Sequence, residues 1–144
     1  MLTAIIVAGG SSQRMGFDKL FAPLHGRPVI AHSIAAFEKT DSVTDIILVG
    51  RAERLDEYEQ IVATHGFRKI IAVIPGGARR QDSVSRGLEQ LEAATQFVAV
   101  HDAARPLVTP ELVERIFQLA LTPARAASPR PVTAPLNPIY PHNL

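Results

Sequence analysis

The sequence contains no cysteine among its 144 residues. This absence excludes disulfide bonds, thiol catalysis and zinc sites with cysteine ligands. It also lacks any apolar run close to the roughly 20 residues with which a helix spans a bilayer. The first residues, MLTAIIVAGG, have no basic flank of the kind that opens a secretory signal. We therefore expect a cytoplasmic protein.

A strong excess of charge of one sign is missing as well. Fifteen Lys and Arg residues stand against 14 Asp and Glu residues, which leaves a formal net charge of +1. So small a charge provides no field that would attract a nucleic acid backbone or an anionic membrane, and we expect neither as a partner. With 47% apolar and 20% charged residues, the chain has the composition of one folded globular domain.

The last part of the chain differs from the rest in composition. The final 22 residues hold six of the eleven prolines but no glycine, aspartate or glutamate. Proline disrupts helices and is poorly tolerated in central strands. We therefore divide the chain into a folded body at residues 1–122 and a proline-rich extended tail, or truncated arm, at residues 123–144.

Within the body, strand patterns alternate with helix patterns. Four short runs are nearly all apolar and rich in β-branched residues, as in strands buried on both faces of a parallel sheet. These runs are Leu2–Ala8, Asp45–Val49, Ile70–Ile74 and Phe97–His101. The amphipathic stretches are Arg54–His65, Asp82–Leu91 and a segment with Thr109 as N-cap and Pro110 at its first position. In the second of them, Val84, Leu88 and Leu91 are predicted to face the core.

This alternation predicts an α/β fold with a doubly wound, mostly parallel sheet. Ligands of such folds bind outside the carboxyl ends of the strands. That rule directs attention to the loops after Ala8, Ile74 and His101.

The first of these loops has the composition of an anion site. Small residues in AGGSSQRMGFDK let backbone N–H groups approach a phosphate, and Arg14 and Lys19 add positive charge. It is neither a Walker P-loop nor a Gly-x-Gly-x-x-Gly fingerprint. The combination suits a triphosphate. The alternative is a glycine- and serine-rich turn with two solvated basic residues.

The other two loops carry complementary groups. GGARRQDSV, at residues 76–84, allows close backbone approach, and Ser83 or Asp82 can cap the following helix. Asp102, at the end of the last strand, is placed to ligate Mg²⁺ or a ribose hydroxyl, and Arg105 to hold that carboxylate or a phosphate. The alternatives are a tight turn with a capped helix and a buried Asp–Arg pair that shapes the loop. We expect His101 and His32 to be structural.

Three strings in this order resemble known motifs. The first loop is similar to the signature of nucleotidyltransferases that join a nucleotide to a sugar phosphate, with Gly9, Ser12 and Asp18 departing from that pattern. GGARRQDSV and HDAARP resemble motifs of the 2-C-methyl-D-erythritol 4-phosphate cytidylyltransferase family. The resemblance covers roughly residues 2–120. Residues 131–133 fit the start of the family's dimerisation arm, and the expected Asp, Thr and Lys are then replaced by Ala134, Pro135 and Asn137.

The resemblance implies a Rossmann-like nucleotidyltransferase fold, incomplete at its C-terminus, and a homodimer. The implied enzyme transfers a cytidylyl group from CTP to 2-C-methyl-D-erythritol 4-phosphate, a sugar-alcohol phosphate, in isoprenoid precursor biosynthesis. Arg14 and Lys19 would be the catalytic pair, and Asp102 would hold Mg²⁺. The positions expected to bind the nucleotide are Ala8, Gly9, Gly10, Gly77, Ala78, Arg80, Ser83, Asp102 and Ala103.

Three alternatives stay open at this point. The acceptor could be another polyol phosphate, such as ribitol phosphate, because the nucleotide-binding half would be shared. Asp18-Lys19 also fits the molybdenum-cofactor guanylyltransferases, which use GTP. The third alternative, which the proline-rich tail favours, is a catalytically impaired nucleotide-binding fragment.

Overall fold

The computed structural model describes residues 1–10 and 18–122. Arg14 and the proline-rich segment at residues 123–144 therefore lie outside the described residues. The strands are β1 (Leu2–Ala8), β2 (Pro23–Leu24), β3 (Arg27–Pro28), β4 (Val43–Gly50), β5 (Ile70–Pro75) and β6 (Phe97–Asp102). The helices are α1 (Val29–Glu38), α2 (Leu55–His65, behind a 3₁₀ turn at Ala52–Arg54), α3 (Arg80–Leu88) and α4 (Pro110–Leu121).

Four strands form one parallel sheet in the order β5-β4-β1-β6, while β2 and β3 form a small antiparallel pair. In the register of the sheet, Ile5 of β1 lies between Ile47 of β4 and Val100 of β6. Each run predicted as a strand is one, with bounds that differ by at most two residues. The predicted α/β fold with a parallel sheet is thus confirmed.

Burial differs among the four strands. Every residue of β1 is buried, and β4 is buried from Ile46 onward. By contrast, β5 and β6 end the sheet among the described residues, and Ile71 of β5 is 44% exposed. The expectation that all four strands are buried on both faces was therefore wrong for β5 and β6. A strand with one neighbour keeps part of its surface accessible, however apolar its sequence.

Successive residues of β1 supply two cores on opposite faces of the sheet. Ala4 and Ile6 belong to the larger core, which α1, α2 and α4 cover. Ile5 and Val7 belong to the smaller core beneath α3. This division follows from the two-residue repeat of a strand, and it explains why β1 needs apolar residues without interruption.

Helix α3 lies unusually close to the sheet. A Cβ on Gly87 would stand 2.7 Å from Cγ2 of Ile5, so glycine permits the approach. Val84 and Leu91 pack against the smaller core as predicted, but Leu88 is 45% exposed and not part of it. The prediction for Leu88 was wrong because the helix faces the sheet through its small residues.

The N-cap predicted for α4 is confirmed, whereas the N-caps predicted for α3 are wrong. The hydroxyl of Thr109 accepts a hydrogen bond from the N–H of Leu112 at 3.2 Å, as expected for the N-cap of α4. Helix α3 begins at Arg80, so neither Ser83 nor Asp82 is its N-cap. Instead, the carboxylate of Asp82 accepts from the N–H of Arg79 at 3.1 Å, one turn back. No helix within residues 1–10 and 18–122 is long and apolar enough to cross a membrane.

Candidate functional site

The first two predicted loops meet at the side chain of Ser83. Its hydroxyl is buried and accepts a hydrogen bond from the backbone N–H of Gly77 at 3.1 Å. A Cβ placed on Gly9 would lie 3.4 Å from the same oxygen, and one on Gly76 only 2.6 Å. The loop after β5 thus bonds a buried hydroxyl at the carboxyl edge of the sheet, and Gly9 of the loop after β1 lies beside the same hydroxyl.

The third loop is joined to the second through an ion pair. Arg80 donates from Nε to Oδ1 of Asp102 at 2.8 Å, and Nε of Arg105 lies 3.5 Å from Oδ2. The Asp102 side chain keeps 24% of its surface exposed. Of the two predicted roles for Arg105, the structure thus places it beside the carboxylate. All three strand ends are brought together, as the topology predicted.

The predicted binding positions are not equally accessible. Gly10 and Ala78 are exposed at the edge. Ala103 is fully buried; its N–H donates to the carbonyl of Val7 at 2.9 Å and its carbonyl accepts from the Ser33 hydroxyl at 2.7 Å. Ala103 therefore supports the loop from within, and its backbone groups already have protein partners.

Lys19 has an exposed side chain and follows directly after Asp18. The carboxylate of Asp18 forms ion pairs with Arg51 and Arg54. Neither arginine was predicted from the sequence. A signal was available, because β4 also ends at the carboxyl edge and Arg51 is the residue that follows it.

Arg86 is a further residue of the site that was not predicted from the sequence. From the second turn of α3 its guanidinium donates to the carbonyls of Pro75 at 3.2 Å and Gly76 at 2.9 Å. These bonds hold the start of the second loop against the helix. Nothing in the local sequence pattern distinguishes Arg86 from a solvated helix residue.

His101 and His32 are both structural, as predicted. His101 is buried, packs against Phe37 with ring centroids 5.0 Å apart, and has Nε2 3.1 Å from the carbonyl of Arg105. Burial lowers the pKa of His101 below its usual value. Nε2 of His32 lies 2.6 Å from the carbonyl of Leu24.

Asp102 is the acidic residue at this edge that the sequence predicts as a metal ligand, and its side chain is 24% exposed. No group of three or more His, Cys, Asp or Glu side chains with metal-binding geometry occurs in the part of the chain that the structure describes. Mg²⁺ is commonly held by one or two carboxylates together with substrate phosphates. Asp102 fits such a shared site, and it does not fit a site built from protein ligands alone.

The chain is similar to known proteins over most of its length. Residues 2–137 match the family model for 2-C-methyl-D-erythritol 4-phosphate cytidylyltransferase. A curated relative of that name from Alkaliphilus metalliredigens (strain QYMF) is 40% identical over 123 residues, which are 83% of this chain and 51% of the relative. Another, from Dehalococcoides mccartyi (strain ATCC BAA-2266 / KCTC 15142 / 195), is 39% identical over 142 residues, covering 98% of this chain and 62% of the relative.

A solved structure agrees with these relatives. The 4-diphosphocytidyl-2C-methyl-D-erythritol synthase from Anaerococcus prevotii DSM 20548 superposes with a TM-score of 0.70 at 28% identity, over 82% of this chain and 49% of that protein. The chain thus spans about half to three fifths of the length of these three proteins.

Proposed function

The chain belongs to the 2-C-methyl-D-erythritol 4-phosphate cytidylyltransferase family, and we propose that it supplies the CTP-binding part of that activity. A phosphate oxygen of 2-C-methyl-D-erythritol 4-phosphate attacks the α-phosphorus of CTP in line. The new P–O bond forms as the bond from the α-phosphorus to the bridging oxygen breaks, and pyrophosphate leaves with the electron pair. The attacking oxygen is already anionic, so the step needs no general base.

The observation that carries the proposal is the convergence of three loops at one edge of a parallel sheet. Ser83 accepts a hydrogen bond from Gly77 and lies beside Gly9, and Arg80 joins the second loop to Asp102. This arrangement supports a site in which glycine backbone and Ser83 hold cytosine and ribose. Ala8, Gly10 and Ala78 extend the same edge, and Ala103 supports it from within.

The exposed charge of Lys19 has a distinct part in the proposal. In-line transfer places negative charge on the α-phosphate and on the leaving pyrophosphate, and positioned cations lower the barrier by stabilising it. Lys19 and Arg14 would provide that stabilisation from the first loop. Mg²⁺, held by the phosphates and Asp102, would neutralise further charge on the triphosphate when bound. Arg80 and Arg105 pair with the two oxygens of the Asp102 carboxylate and fix its orientation.

The identity of the base is the first test. Isothermal titration in the presence of Mg²⁺ should show CTP bound more tightly than GTP or ATP, because a site shaped for cytosine has no room for a purine. Equal or tighter binding of GTP would favour guanylyl transfer instead. If none of the three nucleotides bound, the chain would be a member of the family that lacks a working nucleotide site.

The acceptor is the second test. Pyrophosphate release should require CTP together with 2-C-methyl-D-erythritol 4-phosphate, and ribitol 5-phosphate should not replace it. We assign no described residue to the acceptor, so we expect residues 1–144 by themselves to bind CTP weakly and turn it over poorly. Positioning of the second substrate contributes as much as ~7–11 kcal/mol to such reactions. Turnover of ~1–10³ per second by residues 1–144 would show that they contain a complete acceptor site.

A further inference from the structure

Asp18 lies where the first loop returns to the folded body, immediately before Lys19. Its carboxylate forms ion pairs with Arg51 and Arg54, which come from the connection between β4 and α2. The three side chains are only 17–24% exposed. Because solvent is largely excluded, these pairs are screened less than surface pairs are.

The same residue also organises the backbone on either side of Lys19. The second carboxylate oxygen of Asp18 accepts from the N–H of Leu20 at 3.1 Å, and its carbonyl accepts from the N–H of Ala22 at 3.1 Å. Leu20 is 3% exposed and belongs to the larger core. Lys19 is therefore the exposed residue of a turn whose preceding and following residues are both fixed.

Arg54 packs against the next residue of this turn. Its guanidinium carbon lies 3.8 Å from the ring centroid of Phe21, and its other side pairs with Glu57. The Phe21 ring in turn lies 5.2 Å from that of Tyr58. The turn thus rests on the connection between β4 and α2 through apolar contact as well as through charge.

The opposite end of the first loop is held by the start of α2. The buried hydroxyl of Tyr58 donates to the carbonyl of Ala8, the last residue of β1, at 3.0 Å. It also accepts a weak bond from the N–H of Arg51 at 3.4 Å. Residues 51–58 therefore contact the chain at Ala8, before the loop, and at Asp18, after it.

We propose that Asp18 is a positioning residue that, through Arg51 and Arg54, fixes Lys19 relative to the Ala8 end of the loop and so sets how tightly the triphosphate is bound. The inference rests on the proposed function, because it assumes a phosphate contact by Lys19. The charge of Asp18 argues against a direct role. Its two oxygens are already engaged by Arg51, Arg54 and the N–H of Leu20, so its contribution to binding comes through geometry.

Asp18→Asn distinguishes a positioning role of Asp18 from a purely electrostatic one, because the two roles predict opposite changes in CTP affinity. If charge alone mattered, removing a negative group would tighten the binding of CTP. If Asp18 positions Lys19, the binding of CTP should weaken about tenfold, since a contact that is no longer pre-organised must be ordered on binding. Cytidine, which lacks phosphates, should bind Asp18→Asn and the wild type alike. Unchanged or tighter binding of CTP would overturn the proposal.

Two further variants test whether Asp18 acts through Arg51 and Arg54. Arg51→Gln removes the partner and leaves the loop sequence intact, so it should weaken CTP binding to a similar extent. In the double variant the losses should be less than additive, because both remove one interaction. Glu57→Gln is the matched control: it removes the other carboxylate that pairs with Arg54, and CTP binding should stay within twofold. Full additivity, or an equal loss in Glu57→Gln, would contradict the assignment.

A measurement without ligand keeps this inference separate from the proposed function. Hydrogen exchange at the Leu20 amide should be faster in Asp18→Asn than in the wild type, while exchange in β1 stays the same. Unchanged exchange at Leu20 would overturn the positioning role whatever the protein binds. A wild type that binds neither CTP nor cytidine would instead overturn the proposed function, with the exchange result still deciding whether Asp18 holds the turn.

Discussion

The backbone N–H of Gly77 donates a hydrogen bond of 3.1 Å to the hydroxyl of Ser83, six residues later in the chain. Ser83 is 2% exposed and lies in the first turn of α3. This helix packs on the sheet through Gly87. The loop after β5 takes its shape from the helix, and the loop after β1 lies against the same hydroxyl.

Ser83→Ala should weaken both folding and nucleotide binding. The substitution leaves the N–H of Gly77 without its acceptor, a loss of about 1–3 kcal/mol in the free energy of unfolding. Chemical denaturation measures the stability change, and titration with CTP the binding. Ser85→Ala, at an exposed position of the same helix, should change neither. A Ser83→Ala variant with wild-type stability and CTP affinity would show that the contact is incidental.

Gly50→Ala should destabilise the chain. A Cβ at this position would stand 2.2 Å from the Tyr58 ring, and that ring is fully buried with its hydroxyl bonded to Ala8. Overpacking of this kind costs about 1–3 kcal/mol, which thermal or denaturant unfolding would detect. Gly10→Ala is the matched control for stability, because the space around Gly10 is open. Equal unfolding midpoints for the two variants would contradict the packing argument.

Lys19→Ala should affect catalysis and not folding. If Lys19 stabilises charge in the transition state, turnover in an active form of the enzyme should fall about 10²–10³-fold. The side chain is exposed, so the unfolding midpoint should stay unchanged. Lys39→Ala removes an exposed lysine at the end of α1, away from the candidate site, and should retain full turnover. Near-normal turnover of Lys19→Ala would remove Lys19 from the catalytic assignment.

Folding stability should decrease in mild acid because of His101. Burial lowers the pKa of His101 in the folded state, whereas the unfolded chain has the ordinary value of about 6.5. The unfolded state therefore takes up the proton first, and the stability contributed by neutral His101 is complete above pH 6.5 and is lost as the pH falls toward the folded-state pKa. Urea midpoints should drop between pH 7.5 and pH 5.5.

His101→Gln provides the control for this pH dependence. The amide can still bond the carbonyl of Arg105 but does not titrate, so the decline between pH 7.5 and pH 5.5 should be smaller than in the wild type. If wild type and variant lose stability in parallel, other groups are responsible for the acid sensitivity.

The sequence by itself determined the four strands of the main sheet and their alternation with helices, whereas β2 and β3 were not predicted. The local pattern specifies a strand in unbroken apolar runs such as Leu2–Ala8 and a helix in periodic stretches such as Leu55–His65. The alternation of strands and helices then predicts a parallel sheet. The placement of the three loops followed, because the carboxyl ends of parallel strands share one edge. Even the cap of α4 was readable, since Thr109 and Leu112 are three residues apart.

Only the tertiary structure decided which side chains meet. Asp18 and Arg51 are 33 residues apart, and they pair because β1 and β4 are neighbours with Ala8 in register with Gly50. The same register places the Tyr58 hydroxyl against Ala8, and the approach of α3 through Gly87 leaves Leu88 in solvent. Local patterns specify which face of an element is apolar, but contacts between elements depend on register and on distances that only the packed sheet defines.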